Sequence, residues 1–302
     1  MDIKTTTLTE YVDMNREQLL TKAALSATTL EHVEIMPNVK YKEALNYLDS
    51  TIVLADGSTC GWAAQGDDTF TQRTIEVKPL KVNKEFCWKD LRKYWANYQM
   101  LFEAGREVLP FEEVFIDANI KAIKNELEKE IWQNGDEALF PGFIEVLDKA
   151  TGVIKGTYTK GTDANPIDVA YTKLTPLMLQ QGVTMFVSHT TFRDYVAGLN
   201  ATCCANRPMI DANADSILYP GDSRVKIVPV SGLEGGLEGA ETKALVVASA
   251  ESNLVYGTDV EGSENAFKFW YDDKEDKFML KVLFNAGVQV KFPDQVVLVT
   301  PA

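Results

Sequence analysis

Pro110-Phe-Glu-Glu-Val-Phe-Ile-Asp-Ala-Asn-Ile-Lys-Ala-Ile-Lys-Asn-Glu-Leu-Glu-Lys-Glu-Ile-Trp-Gln-Asn134-Gly135 carries the clearest periodic pattern in the chain. Proline suits the first turn of a helix and Asn-Gly ends one, so a helix is expected over residues 111–133. Phe111, Phe115, Ala118 and Ala122 follow helical steps of four, three and four, and Ile120, Ile123, Leu127 and Ile131 make a second apolar row beside them. Lys121, Lys124, Glu126, Glu128 and Lys129 fill much of the remainder. At ~1.5 Å per residue the helix is on the order of 35 Å long. Taken alone, two apolar rows describe a core helix.

Upstream, residues 51–86 read as a long hairpin. Thr51-Ile-Val-Leu-Ala55 is a short apolar strand that runs into Asp56-Gly-Ser-Thr-Cys-Gly61 and Gln65-Gly-Asp-Asp68, which is turn chemistry. From Thr71, Ile75 and Val77 alternate with Thr74, Glu76 and Lys78, the period-2 mark of a half-exposed strand. A two-stranded ribbon with so little apolar area is not stable alone in water and needs a surface to lie on. Residues 1–50 read as an arm, with an amphipathic helix over residues 9–25 (Val12, Leu19, Leu20, Ala23) and then a loose polar segment containing Pro37, Tyr41 and Tyr47.

Downstream, residues 140–241 are an α/β patchwork. Asn165-Pro166 and Thr175-Pro176 are helix starts, Val183-Thr-Met-Phe-Val187 is a strand, residues 191–199 a helix and residues 225–230 another strand. Gly232-Leu-Glu-Gly-Gly-Leu-Glu-Gly239 reads as a flexible surface loop. The end is strand-like: residues 244–248, then 267–271 with an acidic turn at Asp272-Asp-Lys-Glu-Asp276, then 278–284, 288–292 and 296–299. The fold class is α+β.

The 302 residues fit one large domain or two intimate ones, and 45% hydrophobic with 25% charged residues excludes wholesale disorder. Thirty Lys and Arg against forty-four Asp and Glu give a net charge of −14, which argues against a protein that grips nucleic acid through clustered cations. Four cysteines without CxxC spacing indicate neither a disulfide scaffold nor a zinc site. The start, MDIKTTTLTE, is too polar for a signal peptide, and no apolar run reaches the ~18 residues of a membrane span.

The candidates for chemistry are few. Ser188-His189 lies at the end of a strand, but neither His189 nor the distant His32 comes with a GxSxG elbow, and an ordinary polar strand end is the preferred reading. Asp211, Asn213, Asp215 and Asp222 take positions 1, 3, 5 and 12 of a calcium-type loop. Ser216 stands where that loop needs glycine and Pro220-Gly221 interrupts it, so an Asx-rich turn is preferred. Cys60 is expected in the hairpin tip, Cys87 in the core beside Phe86 and Trp88, and Cys203-Cys204 as plain thiols. The segment at Gly232 lacks the Lys-Ser/Thr of a phosphate loop. No catalytic, cofactor-binding or metal residue is assigned, and no cofactor is expected.

In element order the chain resembles the major capsid proteins of tailed bacteriophages, the Hong Kong 97-like family. The resemblance rests on the helix at 111–133, on Val183-Thr-Met-Phe-Val-Ser-His-Thr-Thr-Phe192 running on into a helix, and on the tail. In the tail it is carried by Ala244-Leu-Val-Val-Ala248, Asn253-Leu-Val-Tyr-Gly257, Phe267-Lys-Phe-Trp-Tyr271 and Gly287-Val-Gln-Val-Lys-Phe-Pro293. It implies an N-terminal arm at 1–50, an extended loop at 51–86 that lies over a neighbouring subunit, and a peripheral domain from 87–139 and 242–302 with its spine helix at 111–133. Residues 140–241 become the axial domain. The implied function is a non-enzymatic structural protein that assembles through hexamers and pentamers into an icosahedral shell around double-stranded DNA. Its place is the virion capsid, after assembly in the host cytoplasm. Its partners are other copies of itself, DNA held without sequence-specific contact, a portal, and scaffolding or decoration proteins, with no membrane. Relatives that cross-link their loops use lysine, and residues 56–70 contain none. The alternatives are an encapsulin-type nanocompartment and, from another class, a cytoplasmic metal-dependent enzyme using Asp211 and His189.

Overall fold

The structure is a computed structural model, and it describes residues 5–25, 27–53, 66–87, 89–90, 93–94, 111–132, 139–159, 165–201, 216–234, 245–259 and 266–302. Among these the strands form a five-stranded sheet, a six-stranded sheet and a two-stranded ribbon.

Helix α1 (Thr5–Ala24) is not a free arm. Val12, Leu19, Leu20, Ala23 and Ala24 are buried in the main core with the inner face of α2 (Phe111–Trp132), where Ile116, Ile120, Ile123, Leu127 and Ile131 are buried. Both helices, and the short α3 (Phe143–Lys149), pack beside the five-stranded sheet. That sheet is organised by one long strand, β12 (Lys277–Val290), whose strict alternation sends Phe278, Leu280, Val282, Phe284, Ala286, Val288 and Val290 into the core. Strand β4 (Lys78–Cys87) pairs with residues 277–286 of β12, β11 (Phe267–Asp272) with 277–282 and β10 (Leu254–Asp259) with 285–290. The shared residues 277–282 and 285–286 place β4 on one edge of β12, with β11 and β10 end to end on the other. The short β1 (Glu34–Met36) adds a parallel strand beside β10. Two strands were expected where β12 runs as one. The apparent break at Asn285-Ala-Gly287 keeps the period: Ala286 still points inward, and Gly287 sits in register opposite Gly257.

The six-stranded sheet has the order β5 (Ile154–Tyr158), β13 (Val296–Pro301), β9 (Val246–Ala250), β6 (Val183–Val187), β8 (Asp222–Pro229), β7 (Ile217–Tyr219). Its central strands β9 and β13 are buried on both faces, which explains their largely apolar sequences. Val296 and Leu298 join the main core, whereas Val297 and Val299 join a second core with α4 (Pro166–Lys173) and α5 (Pro176–Gln181). The expected caps are made: Asn165 accepts from the Ile167 N–H at 3.0 Å and Thr175 from the Met178 N–H at 3.4 Å. The pairing crosses the expected division between 140–241 and 242–302. Strands β9 and β13 pair with β6 and β5, so hydrogen bonding ties both to the part read from 140–241. A strand's sheet is chosen by its long-range partners, which sequence order does not encode.

Candidate assembly surface

Strands β2 (Lys42–Ile52) and β3 (Gly66–Glu76) pair antiparallel from Lys42↔Glu76 to Ile52↔Gly66. The ribbon thus begins nine residues before the expected 51, within what was read as a loose arm. Its base is seated. Leu45, Ile75, Val77, Val39 and Val255 make a small core of their own, with Met36 and Tyr47 against it. Tyr47 packs on Phe292 at 5.1 Å between ring centres, and burial pushes its hydroxyl up to about 12. The Gln289 amide donates to the Thr74 carbonyl at 2.8 Å.

The seat requires two glycines. A Cβ at Gly287 would lie 2.2 Å from the Glu76 carbonyl oxygen, and one at Gly257 would lie 2.8 Å from Ile75 Cδ1. These two residues face each other across the ladder, so the ribbon crosses the sheet where neither strand carries a side chain. Beyond the base, the ribbon residues whose exposure is described stand in solvent. Phe70, Thr71 and Gln72 are consecutive and all exposed, so both faces of β3 are in solvent, and Ile52 and Phe70 are 80% and 83% exposed. Residues 43–72 hold five acidic side chains and no Lys or Arg, so beyond Lys42 and Arg73 at its base the ribbon carries a single sign of charge.

Helix α2 offers a second surface. The second expected apolar row is core; of the first, Phe115 packs against the core while Ala118 and Ala122 are exposed, as is Val114 beside them. Between α2 and the β4 edge lies a cavity of about 360 Å³ lined by Leu80, Val82, Ile123, Leu127, Leu280 and Phe284.

The candidates for chemistry fall to structural roles. Ser188 Oγ accepts from the Thr191 N–H at 3.0 Å, capping α6 (His189–Ala201), so the hydroxyl beside His189 is spent on a helix start. His32 belongs to the arm, 6.4 Å from the Phe186 ring, and burial lowers its pKa. Asp222 accepts from the Arg224 N–H at 3.0 Å and pairs with the Arg224 guanidinium at 3.2 Å; these bonds, the backbone one foremost, hold its carboxyl below the usual range. Tyr171 donates to Asp222 and Tyr219 to Asp168, and the two rings stack at 4.1 Å, so Asp222 clasps α4 to the β7–β8 hairpin. Asp211, Asn213, Asp215, Cys60, Cys203 and Cys204 lie outside the described residues. Among the described residues no cluster of three or more His, Cys, Asp or Glu could hold a metal. Cys87 is exposed rather than core: Phe86 takes the inward position, 4.9 Å from Phe115, and the next residue of a strand points out. Gly232 is buried rather than part of a surface loop, and 235–239 of the expected loop lie outside the described residues. A Cβ at Gly232 would lie 2.2 Å from the Glu128 carbonyl oxygen and 2.4 Å from Trp132.

One constellation escaped the sequence. Glu128 is 1% exposed and accepts two hydrogen bonds from Thr29, 99 residues away: one from its N–H at 3.2 Å and one from its hydroxyl. The Trp132 indole donates to the same hydroxyl at 2.6 Å. The available signal was slight: Glu128 sits one step from Leu127 and three from Ile131, on the flank of the buried row.

The sequence matches no protein-family model and no curated protein. Solved structures are similar at low identity. A chain of the satellite phage P4 procapsid including size determination (Sid) protein aligns with TM-score 0.63 at 13% identity, over 95% of this chain and 91% of that one. A chain of Microbacterium phage Oxtober96 aligns with TM-score 0.57 at 12% identity, over 91% of each chain. The capsid of the empty GTA particle aligns with TM-score 0.52 at 9% identity, over 93% of this chain and 90% of that one. The alignments span nearly the whole chain, and the molecule has the Hong Kong 97-like α+β fold seen in phage capsids.

Proposed function

We propose that this chain is a major capsid protein that assembles through hexamers and pentamers into an icosahedral shell enclosing double-stranded DNA. The observation that carries the reading is the ribbon, seated at its base and exposed on both faces at residues 70–72. Strands of this kind gain area only from a neighbour. An acidic ribbon that exposes Ile52, Val53 and Phe70 fits a second copy, with α2's exposed Val114, Ala118 and Ala122 and the cavity beside β4 as apolar surface to receive it. In the family's terms residues 1–50 are the arm, the ribbon is the extended loop, α2 is the spine helix and the six-stranded sheet belongs to the axial domain. A net charge of −14 suits a container that must not adhere to the polyanion inside it. The reading includes no catalytic activity, places the protein in the virion capsid after assembly in the host cytoplasm, and allows portal, scaffolding or decoration partners.

Negative-stain electron microscopy of the purified chain tests it. Closed shells, rings or hexameric sheets are expected. Small particles that stay monomeric at high concentration, and with scaffolding protein present, would count against it. Shells that hold protein and no nucleic acid when formed in infected or expressing cells would favour the nanocompartment.

A further inference from the structure

The core-facing positions of β4 are Leu80, Val82, Lys84 and Phe86. Lys84 stands opposite the buried Leu280, and residues paired across an antiparallel ladder point to the same face. Its side chain therefore leaves the sheet on the inner side, where its neighbours on the strand are apolar. The ammonium is held there: it donates to Asn119 Oδ1 at 3.0 Å and lies 5.5 Å from the centre of the Phe86 ring. Asn119 is 6% exposed, and its amide nitrogen donates to the Phe115 carbonyl at 2.8 Å, which turns its oxygen toward Lys84. Lys84 thus stands, still reached by solvent, at the mouth of the cavity of about 360 Å³ between α2 and β4. We propose that this cavity binds a single-chain aliphatic carboxylate, with the hydrocarbon tail among Leu80, Ile123, Leu127 and Phe284 and the carboxylate on the Lys84 ammonium.

Charge and size select that ligand. Among the described residues no carboxylate pairs with Lys84 or with Lys81 beside it on the rim, and the acidic lining residue, Glu126, is taken by Lys129 at 2.9 Å. An ammonium has three donors, of which Asn119 uses one. A cation on an apolar wall without a counter-ion is best satisfied by an anion that brings its own apolar body. The volume lies at the small end of the ~300–1,000 Å³ range of ligand pockets, which suits one alkyl chain and falls short of a two-chain lipid. The site is a property of the single chain and does not depend on the shell reading. If that reading holds, the ligand and a neighbour's ribbon compete for the same apolar surface, and occupancy keeps subunits apart.

Isothermal titration of the dilute, unassembled full-length chain with decanoate, below its micelle concentration, tests the proposal. One saturable equivalent is expected. Decanol should bind about tenfold more weakly, the loss of a hydrogen bond to a charged group, and octanoate also about tenfold more weakly, for want of two methylenes. Lys84→Met keeps the length of the side chain and removes its charge, so it should abolish the preference for decanoate over decanol. Ala122→Trp, a change at an exposed rim position, should block both ligands. The proposal is overturned by no saturable uptake, by uptake of many equivalents as of a detergent, by equal binding of decanoate and decanol to the wild type, or by binding that survives Ala122→Trp unchanged. It is also overturned if decanoate stays free while a synthetic peptide of residues 66–76 binds in a manner sensitive to Ala122→Trp, which would give the cavity to a neighbour's ribbon. If Lys84→Met does not fold, the wild-type comparison of decanoate with decanol decides alone. The chain is unassembled throughout, so a negative result leaves the shell reading to be judged separately by electron microscopy.

Discussion

Gly287 and Gly257 show how two missing side chains fix the position of an entire ribbon. The atom that would meet a Cβ at Gly287 is a backbone carbonyl, which has no rotamer to turn away, so the ribbon base itself must shift. Gly287→Ala is expected to lower stability by about 1–3 kcal/mol, the range of overpacked cores, seen as a lower urea midpoint at an unchanged slope. Gly198 is the control: it lies inside α6 with nothing within 4 Å of a built Cβ, and Gly198→Ala should raise stability by up to about 1 kcal/mol. Two carboxyls make opposite contributions to pH dependence. Glu128 binds its proton more tightly folded than unfolded, so its contribution is best at low pH and declines as pH rises from the ordinary Glu value to its raised one. Asp222 is held low by its bonds from Arg224, so its contribution is present above the ordinary Asp value and is lost as pH falls through its lowered one. Thermal melts of Glu128→Gln should remove the first slope and leave the second, and a melt profile unchanged by the substitution would contradict the assignment.

At the scale of elements, the ribbon and the long helix divide the labour. Helix α2 gives one side to the core and keeps Val114, Ala118 and Ala122 for solvent, which periodicity could not distinguish because both rows have helical spacing. The ribbon gives only its base to the molecule. Deleting residues 57–68 and closing the gap with a short linker should leave the melting temperature of the monomer within about 2–4 °C, the shift that ~1 kcal/mol produces in a chain of this size, while particle yield by electron microscopy collapses. A monomer that itself unfolds after the deletion would show that the tip supports the core and is not reserved for a neighbour.

At the scale of the molecule, the last strand holds the two halves together. β13 lies between β5 and β9, and its residues serve two cores at once: Val296 and Leu298 one, Val297 and Val299 the other. Removing residues 296–302 strips four fully buried aliphatic side chains, each worth roughly 1.5–3 kcal/mol. That total is comparable with the entire stability of a typical domain. The truncated chain is expected to be insoluble or to lack a cooperative melt by circular dichroism. A soluble, cooperatively melting product would mean that the six-stranded sheet closes without its C-terminal strand.

The α+β class, the helix at 111–132, the caps at Asn165 and Thr175 and most of the C-terminal strands were legible in the sequence, because each is written in local signals: helical or alternating apolar periods, and side chains that satisfy the N–H groups beside them. The ribbon's need for a supporting surface was legible too, since two strands with few apolar residues cannot stand alone. The tertiary structure alone decided which sheet β9 and β13 join, that the arm helix is docked, that β2 starts at Lys42, that Cys87 faces out, and that Thr29 meets Glu128. Most of these depend on partners tens to hundreds of residues away. A Val-Val-Leu-Val run demands burial on both faces equally in any sheet, and a single Glu on the flank of an apolar row does not reveal which distant threonine will satisfy it.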